Sequence, residues 1–409
     1  MNMKGTSQKS MPLRVKLALR LLARIQHGEL TLVLPDGQTL RLGNRENQGL
    51  AAAQMRLNDW SVFEAVMAHG DIGLGEAYME GSWDTPDLAA VLHLLAANRD
   101  ALERMVYGHW WGTLWQRLRH ALKRNTRAGS RRNIAAHYDL GNAFYQLWLD
   151  PSMTYSSALF GGDFSQPLQT AQSAKYRQAL QSAGVAADAR VLEVGCGWGG
   201  MAEMSLQAFG AQHTAITLSR EQLEWVKTRQ ADAIEQGRLN LQFRDYRDLL
   251  AEGEAPYDAI VSIEMFEAVG QSYWGDYMAM LARSLRRGGR ACIQTITIDE
   301  ALFERYARGS DFIQKHVFPG GMLPSAPRFI EHAQRAGLQL VGHLAFGRDY
   351  AETLRRWRLA FEAKLDQVRA QGYDERFIRL WRFYLAYCEA GFDQGSLNVE
   401  QFTFSHVNA

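Results

Sequence analysis

Short apolar runs alternate with amphipathic segments in the second half of the chain. The runs RVLEVG, HTAITL, NLQFRD, YDAIVSIEM and GRACIQTITI are rich in β-branched residues, and segments such as SREQLEWVKTRQADAIEQG have helical periodicity. Strands that alternate with helices predict a parallel sheet covered by helices on both faces. Helical patterning continues over 353–390, and VEQFTFS then predicts an edge strand at the end of the chain.

The first 120 residues have a different pattern. ELTLVLPDGQTLRLG (29–43) alternates apolar and polar positions around Pro-Asp-Gly, which predicts a β-hairpin, and helical patterning follows. KRNTRAGSRRN (123–133) combines five positive charges with Gly and Ser and has no periodicity, so it predicts an exposed linker. We therefore expect one domain over 1–122, a basic linker over 123–133 and a second domain over 134–409.

A basic amphipathic helix is predicted within MPLRVKLALRLLARIQHG. Lys16, Arg20 and Arg24 are spaced four apart and form one stripe, away from most of the leucines. Two interpretations stay open: the leucines pack on the domain core, or the helix binds an anionic bilayer. The tryptophan cluster over 110–115 likewise fits a membrane-interface belt or a ridge between packed elements.

Composition narrows the classes of protein. The chain has 409 residues, 47% of them hydrophobic, which suits two or three globular domains. Its 45 basic and 44 acidic residues give a net charge close to zero, which does not attract nucleic acid. The cysteines lack disulfide-framework or zinc-ligand spacing, so we expect no metal and a reduced, cytosolic compartment. No apolar run approaches the ~20 residues of a membrane-spanning helix.

A glycine-rich turn, EVGCGWGG, follows the first predicted strand of the second domain. Gly195 and Gly197 allow backbone conformations and close approaches that a Cβ would block. The helix N-terminus beyond the turn presents free N–H groups to a ligand. The spacing differs from the dinucleotide GxGxxG, and the acidic Glu193 precedes it. Together these features favour S-adenosylmethionine (SAM) over NAD.

The chain resembles the cyclopropane fatty acid synthase and mycolic acid cyclopropane synthase family of SAM-dependent methyltransferases. Besides EVGCGWGG, the resemblance rests on AAHYDLGNAFYQLWLDPSMTYSSALF (135–160), ITLSREQ (216–222), RDYRD (244–248), SIEMFEAVG (262–270), QTITI (294–298), FPGGMLPS (318–325), FGRDYAETLRRW (346–357) and VEQFTF (399–404). It implies an α/β fold: a class I methyltransferase Rossmann-like seven-stranded sheet with helical insertions, plus a smaller α+β N-terminal domain. The first 120 residues are similar in layout to the smaller, lipid- and membrane-associated domain of the phospholipid-acting enzymes.

The resemblance also implies a set of cofactor-binding residues for SAM. Where most class I methyltransferases end the second strand in an acidic residue, this chain has Thr-Leu-Ser, as the family does. The positions that match the family's SAM contacts are Tyr155, Ser156, Gly195, Gly197, Thr217, Leu218, Gln222, Tyr246 and Ile263.

The implied reaction starts at a cis double bond of an unsaturated phospholipid acyl chain. The alkene attacks the sulfonium methyl group, and a base then removes a proton from the added methyl to close a cyclopropane ring. The resemblance assigns Glu267 and Tyr350 to this step, with Phe266 and Ile296 as walls. It implies that the base is bicarbonate, held by these two side chains, a cysteine, a histidine and backbone. We expect Glu267 to be the only strong anion of the site.

The sequence departs from the family at the bicarbonate ligands. Ser157 replaces the cysteine, Gln294 replaces the histidine, and Ala268 replaces a second histidine of the MFEHVG motif. Glutamine donates hydrogen bonds but cannot carry the positive charge of histidine. Three outcomes therefore stay open: a cyclopropane, a methyl-branched or methylated unsaturated chain, or a lipid-binding protein that has lost catalysis.

The expected partner is an unsaturated phospholipid at a membrane surface. We expect a cytoplasmic protein that binds peripherally to the inner face of the membrane, and a homodimer is left open. The near-neutral charge argues against an RNA methyltransferase. The FPGGMLPS segment is expected to form a loop over the acyl chain.

Overall fold

The computed structural model describes residues 13–44, 52–106, 140–249 and 256–407. The chain divides into two compact units, residues 1–113 with 375–383 and residues 114–374 with 384–409. The predicted linker and the tryptophan cluster lie outside the described residues. The predicted domain boundaries therefore stay a prediction, although residues 375–383 were not expected in the first unit.

Residues 13–44 and 52–106, the described part of the first unit's N-terminal portion, contain a four-stranded sheet and five helices. The strands are β1 (Gly28–Val33), β2 (Thr39–Asn44), β3 (Ala53–Leu57) and β4 (Trp83–Asp84), in the order β2-β1-β3-β4. The helices are α1 (Leu13–Leu22), α2 (Ser61–His69), α3 (Asp71–Met79), α4 (Leu88–Ala97) and α5 (Arg99–Val106). Strands β1 and β2 pair antiparallel about a turn at Gly37, which confirms the predicted hairpin.

Helix α1 has one buried face and one basic face. Val15 and Ala18 are buried, and the helix contacts α2 and α5. Helix α1 therefore packs on its unit through Val15 and Ala18, whereas most of its leucine side chains lie outside what the structure describes, so both interpretations stay open. Lys16 and Arg20 on α1, and Arg24 two residues beyond its end, face solvent.

Residues 375–383 join the first unit through Arg379. The Arg379 side chain donates hydrogen bonds to the carbonyls of Tyr78 and Trp83, and its guanidinium lies 4.0 Å from the Tyr78 ring centroid. Trp83 is fully buried, and its Nε1 donates to the Leu74 carbonyl at 2.9 Å. An arginine that satisfies two buried carbonyls and stacks on a ring holds this segment in place.

The second unit is built on a seven-stranded sheet. Its strands are β5 (Arg190–Val194), β6 (Gln212–Thr217), β7 (Leu239–Phe243), β8 (Tyr257–Ile263), β9 (Leu285–Ile298), β10 (Leu338–Ala345) and β11 (Leu397–His406). The order is β10-β11-β9-β8-β5-β6-β7, with β5 to β9 parallel and β11 antiparallel to both of its neighbours. The expected seven-stranded class I methyltransferase sheet, with a smaller α+β unit, is confirmed.

Helices connect these strands and cover the sheet. They are α6 (Asn142–Tyr145), α7 (Leu168–Ser182), α8 (Gly200–Phe209), α9 (Arg220–Arg229), α10 (Ala231–Glu235), α11 (Trp274–Ser284), α12 (Glu300–Arg308), α13 (Phe312–His316), α14 (Ala326–Arg335), α15 (Gly347–Glu362), α16 (Leu365–Ala370) and α17 (Glu375–Asp393). None of the helices within the described ranges is both long and apolar enough to cross a membrane.

The prediction that the last strand lies at an edge is wrong. Strand β11 lies between β9 and β10, and all of Val399–Phe404 is buried. The polar side chains of this strand made it resemble an edge strand, but they have partners inside the protein. Glu400 contacts Thr297 and His343, and Gln401 donates a hydrogen bond to Gln294. Hydrogen-bonded polar groups can be buried at little net cost, so alternation alone does not identify an edge.

Replacing a β11 core side chain should destabilise the protein strongly. Phe402 is fully buried and its ring lies 4.8 Å from that of Phe329, so Phe402→Ala should lower the free energy of unfolding by about 3–5 kcal/mol. Val341→Ala is the control, because Val341 lies on the neighbouring strand β10 and is 48% exposed. Urea unfolding of both variants measures the difference. Equal losses would contradict an internal position for β11.

Candidate active site

The glycine turn joins β5 to α8 with three left-handed glycines. Gly195, Gly197 and Gly199 have φ of 90°, 49° and 87°. A Cβ on Gly195 would lie 2.9 Å from Met265 Cγ, whereas a Cβ on Gly197 would meet no atom of the described residues within 4 Å. The backbone at Gly197 thus borders free space that a side chain would fill, beside the N-terminus of α8. This bare cradle suits a bound cofactor such as SAM.

Glu193, the acidic residue before the turn, is engaged inside the sheet. Its carboxylate lies 3.0 Å from His213 Nε2 on β6, and both residues are buried. The pair bridges adjacent strands β5 and β6. Glu193 therefore supports the strand that carries the turn.

The predicted residues after β6 lie together. Thr217 Oγ1 donates to Gln222 Oε1 at 3.1 Å and accepts from the Ser219 backbone N–H. Ser219 caps α9 by accepting from the Gln222 backbone N–H. Leu218, between them, is half-buried. Since β5 and β6 are parallel neighbours, these residues share the carboxyl edge of the sheet with the glycine turn.

Tyr246 and Ile263 have different surroundings. The Tyr246 ring is buried in the main core, 5.4 Å from the Tyr277 ring centroid. Ile263 ends β8 and is half-buried.

Tyr155 stands in an aromatic cluster. Its ring centroid lies 5.3–5.5 Å from those of Tyr145, Trp148 and Trp357, and its hydroxyl hydrogen-bonds to that of Tyr384 at 2.7 Å. Clustered ring faces stabilise cations, which suits both a sulfonium and a carbocation. The next residue, Ser156, is buried.

A carboxylate that the sequence analysis did not assign lies at the centre of the candidate catalytic residues. Glu264 Oε1 accepts from the Ser157 backbone N–H at 2.9 Å and from Gln294 Nε2 at 2.7 Å. Its Oε2 accepts from the Tyr350 hydroxyl at 2.7 Å. Three residues predicted to hold bicarbonate therefore hold this side chain.

Lys175 supplies positive charge to the same region. It is fully buried on α7, and its Nζ donates to Ser156 Oγ at 2.5 Å and to Gln172 Oε1 at 2.8 Å. Burial lowers the pKa of Lys175 to about 7, and the Glu264 charge opposes that shift. Burial raises the pKa of Glu264, and Lys175 and the hydrogen-bond donors oppose this rise.

Glu267 forms a second, separate carboxylate site. Its Oε1 accepts from the Ile296 backbone N–H at 2.5 Å and from Thr295 Oγ1 at 2.9 Å. Its Oε2 is buried and has no hydrogen-bond partner within the part of the chain that the structure describes. Burial raises the pKa of Glu267 to about 8, with a smaller contribution from the charge of Glu264. One oxygen of this carboxyl group is thus unused by the protein.

Two expectations about this region are wrong. The site has two carboxylates rather than one, because Glu264 lies beside Glu267 and accepts the Tyr350 hydroxyl. Phe266 is no wall of the site: it is fully buried in the core against Trp274 and Phe329. The 3-10 turn over Phe266–Ala268 places neighbouring side chains in different environments, which a linear motif does not reveal.

The loop formed by FPGGMLPS packs against this turn. The Met322 backbone N–H donates to the Glu267 carbonyl at 2.8 Å, and Gln314 Nε2 donates to the Gly321 carbonyl at 2.9 Å. Met322 is buried. The loop therefore supports the Glu267 backbone, and its predicted role over an acyl chain stays a prediction.

Sequence reasoning missed Glu264 and Lys175. SIEMFEAVG contains two glutamates three residues apart after a buried strand, and only the second was assigned. Lys175 interrupts an otherwise buried helix face, where an unpaired lysine would be very costly. These two anomalies were the available signals.

The fold and the glycine turn define a class I SAM-dependent methyltransferase. A model of the family described as "Mycolic acid cyclopropane synthetase" matches residues 125–402. The chain is 40% identical over 342 residues to the tuberculostearic acid methyltransferase UfaA1 of Mycobacterium tuberculosis, covering 82% of this chain and 79% of that protein. It is 31% identical over 381 residues to the cyclopropane-fatty-acyl-phospholipid synthase of Escherichia coli K12, covering 91% and 94%.

A solved structure shows the same relationship. The crystal structure of mycolic acid cyclopropane synthase CmaA1 complexed with SAH and CTAB has a TM-score of 0.62 and 32% identity, and covers 67% of this chain and 97% of that chain. The chain belongs to the mycolic acid cyclopropane synthetase family. It is an enzyme that uses SAM as methyl donor for cyclopropane or methyl transfer to lipid acyl chains.

Substituting Gly197 should weaken cofactor binding. Gly197→Ala places a Cβ in the free space beside the turn, so the affinity for S-adenosylhomocysteine should fall at least about tenfold, or about 1.4 kcal/mol. Isothermal titration calorimetry measures this affinity. Gly37→Ala is the matched control, because Gly37 also has positive φ and no neighbour within 4 Å of a Cβ, but lies in the β1–β2 turn. Equal affinities would show that the turn does not hold the cofactor.

Glu267 should make the stability of the protein pH-dependent. Its pKa is raised from 4.5 to about 8, so between these values the native state binds a proton that the unfolded chain has released. Stability contributed by this group therefore falls as pH rises, by up to about 1.4 kcal/mol per pH unit. Below pH 7, Glu267→Gln should flatten the dependence measured by urea unfolding, whereas Glu331→Gln at an exposed ion pair should not. Parallel curves for Glu267→Gln and the wild type would contradict the raised pKa.

Proposed function

We propose that this enzyme transfers a methyl carbon from SAM to the cis double bond of an unsaturated acyl chain carried by a phospholipid. The observation that carries the proposal is the extent of similarity. The E. coli phospholipid synthase matches 91% of this chain, whereas the mycolic acid synthase structure covers 67%. The family model starts at residue 125, and the unit before it has exposed basic residues on and just after α1, which suit an anionic membrane surface.

We assign cofactor binding to the residues around the carboxyl edge of the sheet. When bound, SAM supplies an electrophilic methyl group on a sulfonium. The proposed contacts are Tyr155, Ser156, Gly195, Gly197, Thr217, Leu218, Gln222, Tyr246 and Ile263. For Tyr246 the core position of the ring favours a backbone contact. The aromatic cluster around Tyr155 offers faces to the positive charge.

The catalytic residues act on a weak nucleophile. An alkene reacts with a sulfonium only if it is held in line in a dry site, and the attack leaves a carbocation on the chain. The residues proposed for this step are Glu267, Tyr350, Ser157, Gln294 and Ile296. Ile296 contributes its backbone N–H to Glu267, and the other donors hold Glu264. Negative charge so placed stabilises the carbocation.

The primary product we propose is a cyclopropane, formed when a base takes a proton from the added methyl. The second candidate is a methylated unsaturated chain, formed when a hydride shifts within the chain before the proton leaves. The 40% identity to the tuberculostearic acid methyltransferase favours the second candidate. A saturated methyl branch would further need an external reductant. The two hydrogen-bonded carboxylates and the glycine turn argue against a catalytically inactive lipid-binding protein.

The substrate proposal predicts label in unsaturated acyl chains only. Purified enzyme with SAM labelled in its methyl group should label vesicles of dioleoyl phosphatidylglycerol at least tenfold faster than distearoyl vesicles or free oleate. Mass spectrometry and NMR of the released fatty acids then distinguish a cyclopropane from a methylated alkene. Label in free oleate but not in vesicles would overturn the phospholipid assignment, and no label in any acyl chain would overturn the proposed function.

We further propose that the enzyme acts in the cytoplasm on the inner face of the membrane through the domain over 1–122, joined by the basic linker to a catalytic domain over 134–409. Exposed Lys16, Arg20 and Arg24 support this orientation towards anionic lipid. Co-sedimentation with the same vesicles accompanies the labelling assay. A homodimer stays a prediction for analytical ultracentrifugation.

A further inference from the structure

Three hydrogen-bond donors from distant segments converge on the carboxylate of Glu264. They are the Ser157 backbone N–H before α7, the Gln294 amide on β9 and the Tyr350 hydroxyl on α15, at 2.9, 2.7 and 2.7 Å. The Gln294 amide is itself oriented, since its Oε1 accepts from Gln401 Nε2 at 3.0 Å. Donors so fixed form a binding site for one carboxylate-sized anion.

The backbone of Glu264 is strained into this position. Its φ is 51°, in the left-handed region that costs a side-chain-bearing residue about 1–2 kcal/mol. The conformation is held by its own N–H, which donates to the Gln294 carbonyl at 2.8 Å. A glycine would adopt it without strain. A glutamate at a position suited to glycine indicates that its carboxylate has a role in the site.

A buried lysine favours the anionic form of this carboxylate. Lys175 is fully buried and interacts electrostatically with Glu264, while its Nζ hydrogen-bonds to Ser156 and Gln172. A buried charge without an opposite charge is strongly destabilising, so the two groups support each other. Among the residues that the structure describes, Glu267 has no such cation, and its donors are Thr295, Ile296 and its own backbone N–H. Of the two carboxylates, Glu264 is the one with a lysine and three donors that favour its anionic form against the burial that raises its pKa.

We propose that Glu264 is the resident anion of the reaction site and the proton acceptor of the reaction, so that catalysis needs no dissolved bicarbonate. The inference rests on the proposed function. In the step, a C–H bond of the added methyl breaks and its proton moves to Glu264 Oε2, which has a lone pair left beside the Tyr350 hydrogen bond. The C–H electron pair forms the C–C bond of the ring, or the C=C bond if a hydride shift has moved the cation, and neutralises the carbocation.

The substitutions at the family's bicarbonate ligands then have a common reason. Ser157 contributes only its backbone N–H to Glu264, so a cysteine side chain is not required. Gln294 donates a neutral hydrogen bond, and Lys175 takes the part of the histidine as the basic group that favours the Glu264 anion. With its donors occupied by Glu264, the site has no equivalent place for a second anion.

The first test uses the wild-type enzyme in the vesicle-labelling assay. We compare the activity in CO2-free buffer with the activity in the presence of about a 20-fold molar excess of bicarbonate over enzyme. The two activities should agree within about twofold, because the base is part of the chain. Activity that falls at least tenfold when bicarbonate is removed would overturn the proposal.

The second test removes the carboxylate in two ways. Glu264→Gly relieves the backbone strain and empties the donor set, so kcat should fall by about 10²–10⁴ and recover at least tenfold on addition of bicarbonate. Glu264→Gln also loses activity, but its amide still fills the space, so bicarbonate should not restore it. Glu331→Ala, at an exposed ion pair on α14, is the control and should keep wild-type activity. Wild-type activity of Glu264→Gly without bicarbonate would overturn the proposal.

A binding measurement separates this inference from the proposed function. With ¹³C-labelled bicarbonate, NMR should detect binding to Glu264→Gly but not to the wild type or Glu264→Gln, whatever the substrate is. Bicarbonate bound equally by the wild type would contradict a resident anion. If the wild type labels no acyl chain but bicarbonate still binds only to Glu264→Gly, the proposed substrate is refuted and the resident anion is not.

Discussion

The active site depends on the partial burial of two carboxylates that follow the same strand three residues apart. Glu264 and Glu267 repel each other and lose water, and both effects raise the pKa of Glu267. The protein compensates with donors from three directions: β9 supplies Gln294, Thr295 and Ile296, α15 supplies Tyr350, and α7 supplies the charge of Lys175. The positions of these elements around the end of β8 are therefore constrained by electrostatics as well as by packing.

The internal position of β11 belongs to the same constraint. Gln401 on β11 donates to Gln294 and thereby orients the amide that holds Glu264. Strand β11 is thus more than a closing strand of the sheet, because it fixes one of the donors at the reaction site. Its neighbours Phe402 and Phe404 anchor it in the core, fully buried. The register of β11 places Phe402 and Phe404 on the face that packs in the core. The same register places Gln401 on the opposite face, where it orients the Gln294 amide.

The departures from the family pattern take on a different meaning once the contacts are known. Seen alone, Ser157 and Gln294 indicate an anion site that has been weakened. Together with Glu264 and Lys175 they form a complete charge-compensated group. The same substitutions thus fit two opposite conclusions, and the difference lies in one residue whose left-handed backbone directs its carboxylate to the donors.

The sequence by itself determined the features that local pattern controls. Alternating strands and helices, the Pro-Asp-Gly hairpin and the left-handed glycines of EVGCGWGG all follow from periodicity and from residues with special backbone freedom. Only the tertiary structure decided that β11 lies inside the sheet and that Phe266 faces the core. It also decided that Glu264 meets Ser157 and Tyr350, which are 107 and 86 positions away. Such contacts depend on how whole elements pack, and no short-range pattern encodes which of two neighbouring glutamates a distant tyrosine will reach.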